Sequence, residues 1–270
     1  MSRTDNRRRQ RLGTGLVLCL ALSTAGCDTE GGSGAPEPGL KKAPEASAGV
    51  VPAEGLAGAS LAPGDVDGYA VKAPAAGDVV GPEDVRVTDA ACAPVAYALA
   101  GTVAGKPSAT EVRHVVGGGV TTTVVLATHD ETATRGDQAN QGDPANRSAA
   151  SAAFAGSAEA VLESLSESAD DCASGFTATV SGAEWRVTDV TRRVVPEGAD
   201  QALGLGATLE RDEDGDEGDV ERASAAVVVL RRGSTVAHVS SVGEGGRKAS
   251  GRNGDGVPVE VVNAQLARLT

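Results

Sequence analysis

Short stretches in which apolar and polar positions alternate recur along this chain, and a few longer stretches repeat at helical spacing instead. Residues 68–72 and 84–87 alternate as half-buried strands do. Residues 111–116 and 120–127, rich in Val and Thr and separated by Gly117-Gly118-Gly119, predict a β-hairpin, followed by a polar loop over 128–147. The same signals predict strands over 175–180, 185–195, 203–209, 223–230 and 235–242. A helix is predicted from a cap at Thr88 or Asp89 to Ala100, closed by Gly101. A longer one is predicted over 148–168, where Phe154, Ala158, Val161, Leu162 and Leu165 share one apolar face. Pro258 opens a last helix in which Val262, Leu266 and Leu269 share a face. Strands and helices do not alternate regularly, and short Gly- or Asp-rich turns join most strands. The expected fold is therefore α+β, a mainly antiparallel sheet flanked by about three helices. No internal repeat is visible.

The first sixty residues follow a different pattern. Arg7, Arg8, Arg9 and Arg11 precede a predominantly apolar run over 12–22. That run is shorter than the about 20 apolar residues a membrane span needs, so it reads as the h-region of a signal peptide. Ser23, Thr24, Ala25 and Gly26 lead into Cys27, which resembles the lipobox of bacterial lipoproteins. Thr24 departs from that pattern, where leucine is commonest three residues before the cysteine. The resemblance implies cleavage after residue 26, diacylation of Cys27 and a lipid anchor in the outer face of the plasma membrane. Gln10 and Arg11 fit a twin-arginine signal poorly, so general secretion is the expected route. Residues 28–60 hold Gly, Ala, Pro, Ser and Glu with few large apolar side chains, a composition that cannot offset its ordering entropy. They are expected to form a tether of about 30 residues and to hold the domain on the order of 30 Å from the bilayer. The expected organisation is thus 1–26 signal, 27–60 lipidated cysteine and tether, 61–270 one domain.

Composition narrows the functions available. The chain has a formal charge of −13, and residues 1–26 carry +4 (five arginines, one aspartate), so the remainder stands at −17. Such a surface disfavours nucleic acid and anionic headgroups, which need clustered Lys and Arg. Isoleucine is absent and Arg outnumbers Lys, a bias of GC-rich genomes. With five aromatic residues in all, the core must be built mainly from Val, Leu and Ala. Of four cysteines, Cys19 falls in the signal and Cys27 takes the lipid, which leaves Cys92 and Cys172. An even pair in an oxidising compartment reads as one disulfide.

Several short strings extend the comparison. They are Leu61-Ala62-Pro63-Gly64-Asp65, Cys92-Ala93-Pro94 opening a helix, and Asp171-Cys172-Ala173-Ser174-Gly175-Phe176 entering a strand. Val227-Val228-Val229-Leu230-Arg231-Arg232-Gly233 and Asn263-Ala264-Gln265-Leu266-Ala267-Arg268-Leu269 complete the set. Over residues 60–270 the layout resembles exported actinobacterial lipoproteins similar to the extracellular sensor domain of the mycobacterial serine/threonine kinase PknH. The resemblance implies a helix-flanked antiparallel sheet with a ligand groove. That kinase domain has two disulfides where this chain can form one, so no binding residue carries over.

Signatures of catalysis are sparse: no Gly-x-Ser-x-Gly elbow, no His-Glu-x-x-His helix and no Gly-Lys-Ser/Thr phosphate loop occurs. His114, His129 and His238 are the only histidines. His114 and His238 fall in predicted strands, where a packed or solvated ring is the expectation, and His129, beside Asp130 in a loop, is the better placed for pH sensing. Glu210, Asp212, Asp214, Asp216 and Glu221 match part of the spacing of an EF-hand calcium loop, with Gly215 at its turn position. A solvated hairpin tip accounts for the same residues, and no metal or other cofactor is expected. Trp185 reads as core or as the one large aromatic able to anchor a ligand. The function expected is a non-enzymatic envelope lipoprotein that binds a small apolar or envelope-derived ligand, or an envelope protein, in a groove between sheet and helices. The alternatives are an envelope hydrolase with an unrecognised nucleophile and a wall-spacing structural protein.

Overall fold

A computed structural model describes residues 55–75, 77–129, 156–212, 220–243 and 256–269. They form a nine-stranded antiparallel sheet of order β1-β3-β4-β9-β8-β7-β6-β5-β2 with helices on both faces. The strands are β1 (Ala70–Lys72), β2 (Val85–Val87), β3 (Ala109–Gly117), β4 (Val120–Thr128), β5 (Phe176–Val180), β6 (Ala183–Arg193), β7 (Gln201–Asp212), β8 (Val220–Arg232) and β9 (Thr235–Gly243). The helices are α1 (Leu56–Ala59), α2 (Ala93–Leu99), α3 (Ala158–Asp171) and α4 (Val259–Arg268). The two outermost strands are three residues each, which limits the unpaired backbone the sheet offers to another chain.

Helices α2 and α3 each follow a side-chain cap. Asp89 caps the 3₁₀ turn Ala90–Cys92 by accepting from the Ala91 N–H at 3.0 Å, and α2 follows directly. Every residue of α2 is buried, as expected for a short helix apolar all round. Ser157 caps α3 by accepting from the Ala160 N–H at 3.4 Å, and Val161, Leu162 and Leu165 face the sheet. The helix is described from Ala158, whereas it was expected from 148; residues 148–155, Phe154 among them, lie outside the described residues.

Strand pleating sends alternate side chains to two separate cores. On one face Val227 and Val229 of β8, Leu203 and Leu205 of β7, and Val187 and Val190 of β6 pack with α2 and α3. On the other, Val228 and Leu230 of β8 with Val124 and Leu126 of β4 pack against Leu56 of α1 and Val261 and Val262 of α4. Strand β8 is buried on both faces, which is why residues 226–230 form a continuous apolar run instead of an alternating one.

The ordered domain begins earlier than residue 61. Leu56, only 2 % exposed, and Ala59 sit in the core, and the Ala59 carbonyl accepts from Gln265 Nε2 of α4 at 2.8 Å. Tertiary burial of two side chains orders a stretch whose composition alone predicts a tether. Asp65 strengthens the same join: it accepts from Arg268 at 2.6 Å and from the Ala62 N–H, and these bonds hold its carboxyl below the usual range.

A bulge in β6 has the largest consequence for the surface. Asp189 adopts a left-handed φ of 54°, and one extra residue is taken up between Thr188 and Thr191 against β7. Val190 and Arg192 are thereby brought to the same side as Val187, and Arg192 faces α3.

Candidate functional site

Cys92 and Cys172 form a disulfide with a Cα–Cα distance of 5.7 Å, joining the start of α2 to the end of α3. Both are buried, and the two helices pack side by side on one face of the sheet. After Cys172 the chain turns through Gly175, whose φ is 97° and where a Cβ would stand 2.6 Å from the Val187 carbonyl oxygen, so a side chain is excluded. Cys27 lies outside the described residues.

Beside this joint an open cleft of about 480 Å³ lies between α3 and strands β6 and β7. Leu162 and Leu203 form its apolar part, and Glu163, Glu167, Arg192 and Gln201 its polar part. Arg192, itself exposed, donates to both carboxylate oxygens of Asp170 at 2.9 Å and to the Ser166 carbonyl and hydroxyl at 3.0 Å. Gln201 Oε1 accepts from Arg231 at 2.9 Å. The volume falls within the range of small-molecule sites, about 300–1,000 Å³. Its chemistry suits a ligand with both an aliphatic and a hydrogen-bonding part. Trp185 and the histidines stand elsewhere.

The three histidines share one face of the sheet. His114 of β3 is half-buried opposite Thr123, in a cross-strand row that runs on through Ser240 of β9 to Val227 of β8. His238, one row along, is fully buried between Val125 of β4 and Val229 of β8, and its two ring nitrogens have no hydrogen-bond partner among the described residues. Burial and the charge His129 would carry lower its pKa from 6.5 to about 4. His129, expected in a solvated loop, is buried at the end of β4, where its backbone N–H donates to the Ser234 carbonyl at 2.9 Å. Above this face, burial raises the Tyr97 phenol beyond its ordinary 10.

Trp185 is partly exposed near the start of β6, and the Arg211 guanidinium of β7 lies 4.8 Å from its ring centroid. Arg211 in turn pairs with Glu221 of β8 at 2.5 Å. Such a stack contributes on the order of 1 kcal/mol and fixes the ring's outer face under a cation. Glu210 pairs with Arg222 at 2.8 Å. The register Glu210↔Arg222 beside Arg211↔Glu221 places Glu210 and Glu221 on opposite faces of the sheet, each engaged by an arginine. The two carboxylates at the ends of the calcium-type spacing therefore do not converge; the Asp212 side chain, Asp214 and Asp216 lie outside what is described. Calorimetric titration with calcium is expected to give binding no tighter than about millimolar, and micromolar affinity would contradict this geometry. Among the described residues no group of three His, Cys, Asp or Glu is arranged to hold a metal ion.

The cleft was not foreseen residue by residue. Its one sequence signal is the spacing of Val187 and Val190, three apart in a strand, which marks the bulge that aims Arg192. No helix among the described residues is long and apolar enough to cross a membrane. No protein-family model matches the chain, and no curated protein matches it.

Proposed function

We propose that this chain is an exported lipoprotein, held at the outer face of the plasma membrane through a lipidated Cys27. Its domain binds an envelope-derived ligand or partner without turning it over, in the manner of a sensor domain, and the cleft beside α3 is the binding surface. The observation that carries the reading is the Cys92–Cys172 bridge, built into the packing of α2 on α3. Such bonds persist in oxidising compartments, which is where the signal and lipobox pattern would deliver the domain. The hydrogen bonds of Arg192 to Asp170 and Ser166 support the reading by placing a cation in the wall of the cleft.

Replacing the lipid acceptor tests the anchor. Cys27→Ser should abolish labelling by a clickable palmitate analogue in growing cells and shift the protein from membrane to soluble fractions. Undiminished labelling would sink the assignment. For the cleft, native mass spectrometry of protein from its own host should find a bound small molecule or partner that Glu163→Trp, which places an indole in the cleft from an exposed helix position, no longer carries.

A further inference from the structure

We propose that the cleft beside α3 takes a short peptide carrying an aliphatic primary amine, with the ammonium held by Glu163 and Glu167; this rests on the cleft being the binding surface. Both carboxylates line the cleft, one helical turn apart on α3, and among the described residues neither has an ion-pair or hydrogen-bond partner. Like charges at that spacing destabilise a helix, and α3 itself carries no basic residue to offset them. A bound cation relieves that repulsion, which an anionic or purely apolar ligand does not.

The arginine of the cleft leaves this pair of charges standing. Arg192 directs Nε and Nη2 to Asp170 and Ser166, so its charge is matched by a different carboxylate. The side chains lining the cleft thus add two carboxylates to an ion pair that is already complete.

The other lining groups select what carries the amine. Leu162 and Leu203 give an apolar wall that suits a run of methylenes, as in a lysine-like side chain whose charged head stays hydrated or paired. Gln201 has Oε1 occupied by Arg231, so what it offers a ligand is the two N–H groups of its amide. Arg192 Nη1 is a further donor. Donors of this kind match the carbonyl oxygens of a peptide backbone, while the glutamates match the three N–H groups of an ammonium. Eight residues line the cleft, against the about 20–30 a side that a stable protein–protein interface uses, so a short peptide fits it better than the face of a folded partner.

Titration of the full exported chain in detergent, followed by the amide NMR shifts of residues 162–167 and 201–203, tests the proposal. Nα-acetyl-lysinamide should shift these amides with an affinity on the order of millimolar. Nα-acetyl-norleucinamide, which keeps the stem and the peptide groups without the ammonium, should bind about fivefold more weakly, the upper range for an exposed ion pair. The double variant Glu163→Gln, Glu167→Gln, changed at two exposed positions, should bind the two probes equally. Equal binding by the wild type, a preference that survives in the folded variant, or no shift with either probe would overturn the amine assignment. Hexylamine binding as tightly as Nα-acetyl-lysinamide would overturn the peptide assignment, as would a protein-sized partner in the native mass spectrum. None of these outcomes decides whether the cleft binds at all, which is read from the species that Glu163→Trp removes.

Discussion

Unfolding of the protein in urea should require markedly less denaturant once the Cys92–Cys172 bridge is reduced, with a loss on the order of 4 kcal/mol. The bridge closes a loop with a sequence separation of 80. In the chain-entropy description a cross-link of that span removes much of the freedom of the unfolded chain, so breaking it stabilises the unfolded state. Whole domains are stable by only about 5–15 kcal/mol, so this is a large share. The double variant Cys92→Ala, Cys172→Ala should reproduce the shift without reductant, and treatment with reductant should not move it further. An unchanged midpoint would show that the native packing of α2 on α3, and not the bridge, carries the joint. The same measurement bears on the compartment, because a domain that depends on this bond folds well only where the bond can form.

Leu230→Ala should be the most damaging single truncation in the sheet, at about 2–5 kcal/mol. Leu230 has no exposed surface and lies on β8, which pairs along its length with both β7 and β9. It packs in the core formed with α1 and α4, the two helices that join the ends of the domain. Removing the side chain leaves a cavity that paired backbone on both sides prevents from collapsing, so the cavity cost adds to the lost burial. Val242→Ala on the neighbouring strand is the control: its side chain is 45 % exposed, and the change should stay within about 0.5 kcal/mol. Equal effects from the two variants would contradict the two-core description.

Much of the secondary structure was legible because strand periodicity is a local property. Each of the nine strands overlaps a stretch of alternation or of Val-rich sequence, and the turns at Gly117-Gly118-Gly119 and Gly233-Ser234 fall where glycine permits them. The ends were less legible. Strand β7 runs to Asp212 because β8 pairs with it through Val220, and nothing in the sequence from 210 onward has strand character of its own. Helix α1 has four residues and exists because Leu56 and Ala59 are buried. An isolated helix that short has no stability, so no local signal marks it.

The antiparallel α+β character, the Cys92–Cys172 pairing and the cap that opens α2 were legible in the sequence, because capping, alternation and turn chemistry act over a few residues. Which face each helix covers was decided only by the tertiary structure, since β8 is apolar on both sides and its pattern does not distinguish them. The burial of His129 came the same way: beside Asp130 it reads as solvated, yet strand β4 carries it to the level of Ser234 and under the sheet's cover. The cleft depends on the bulge at Asp189, which turns Arg192 toward Ser166 and Asp170, residues 22 to 26 positions away in the chain. Contacts of that range follow from how the sheet and helices pack together, and no window of sequence contains both partners.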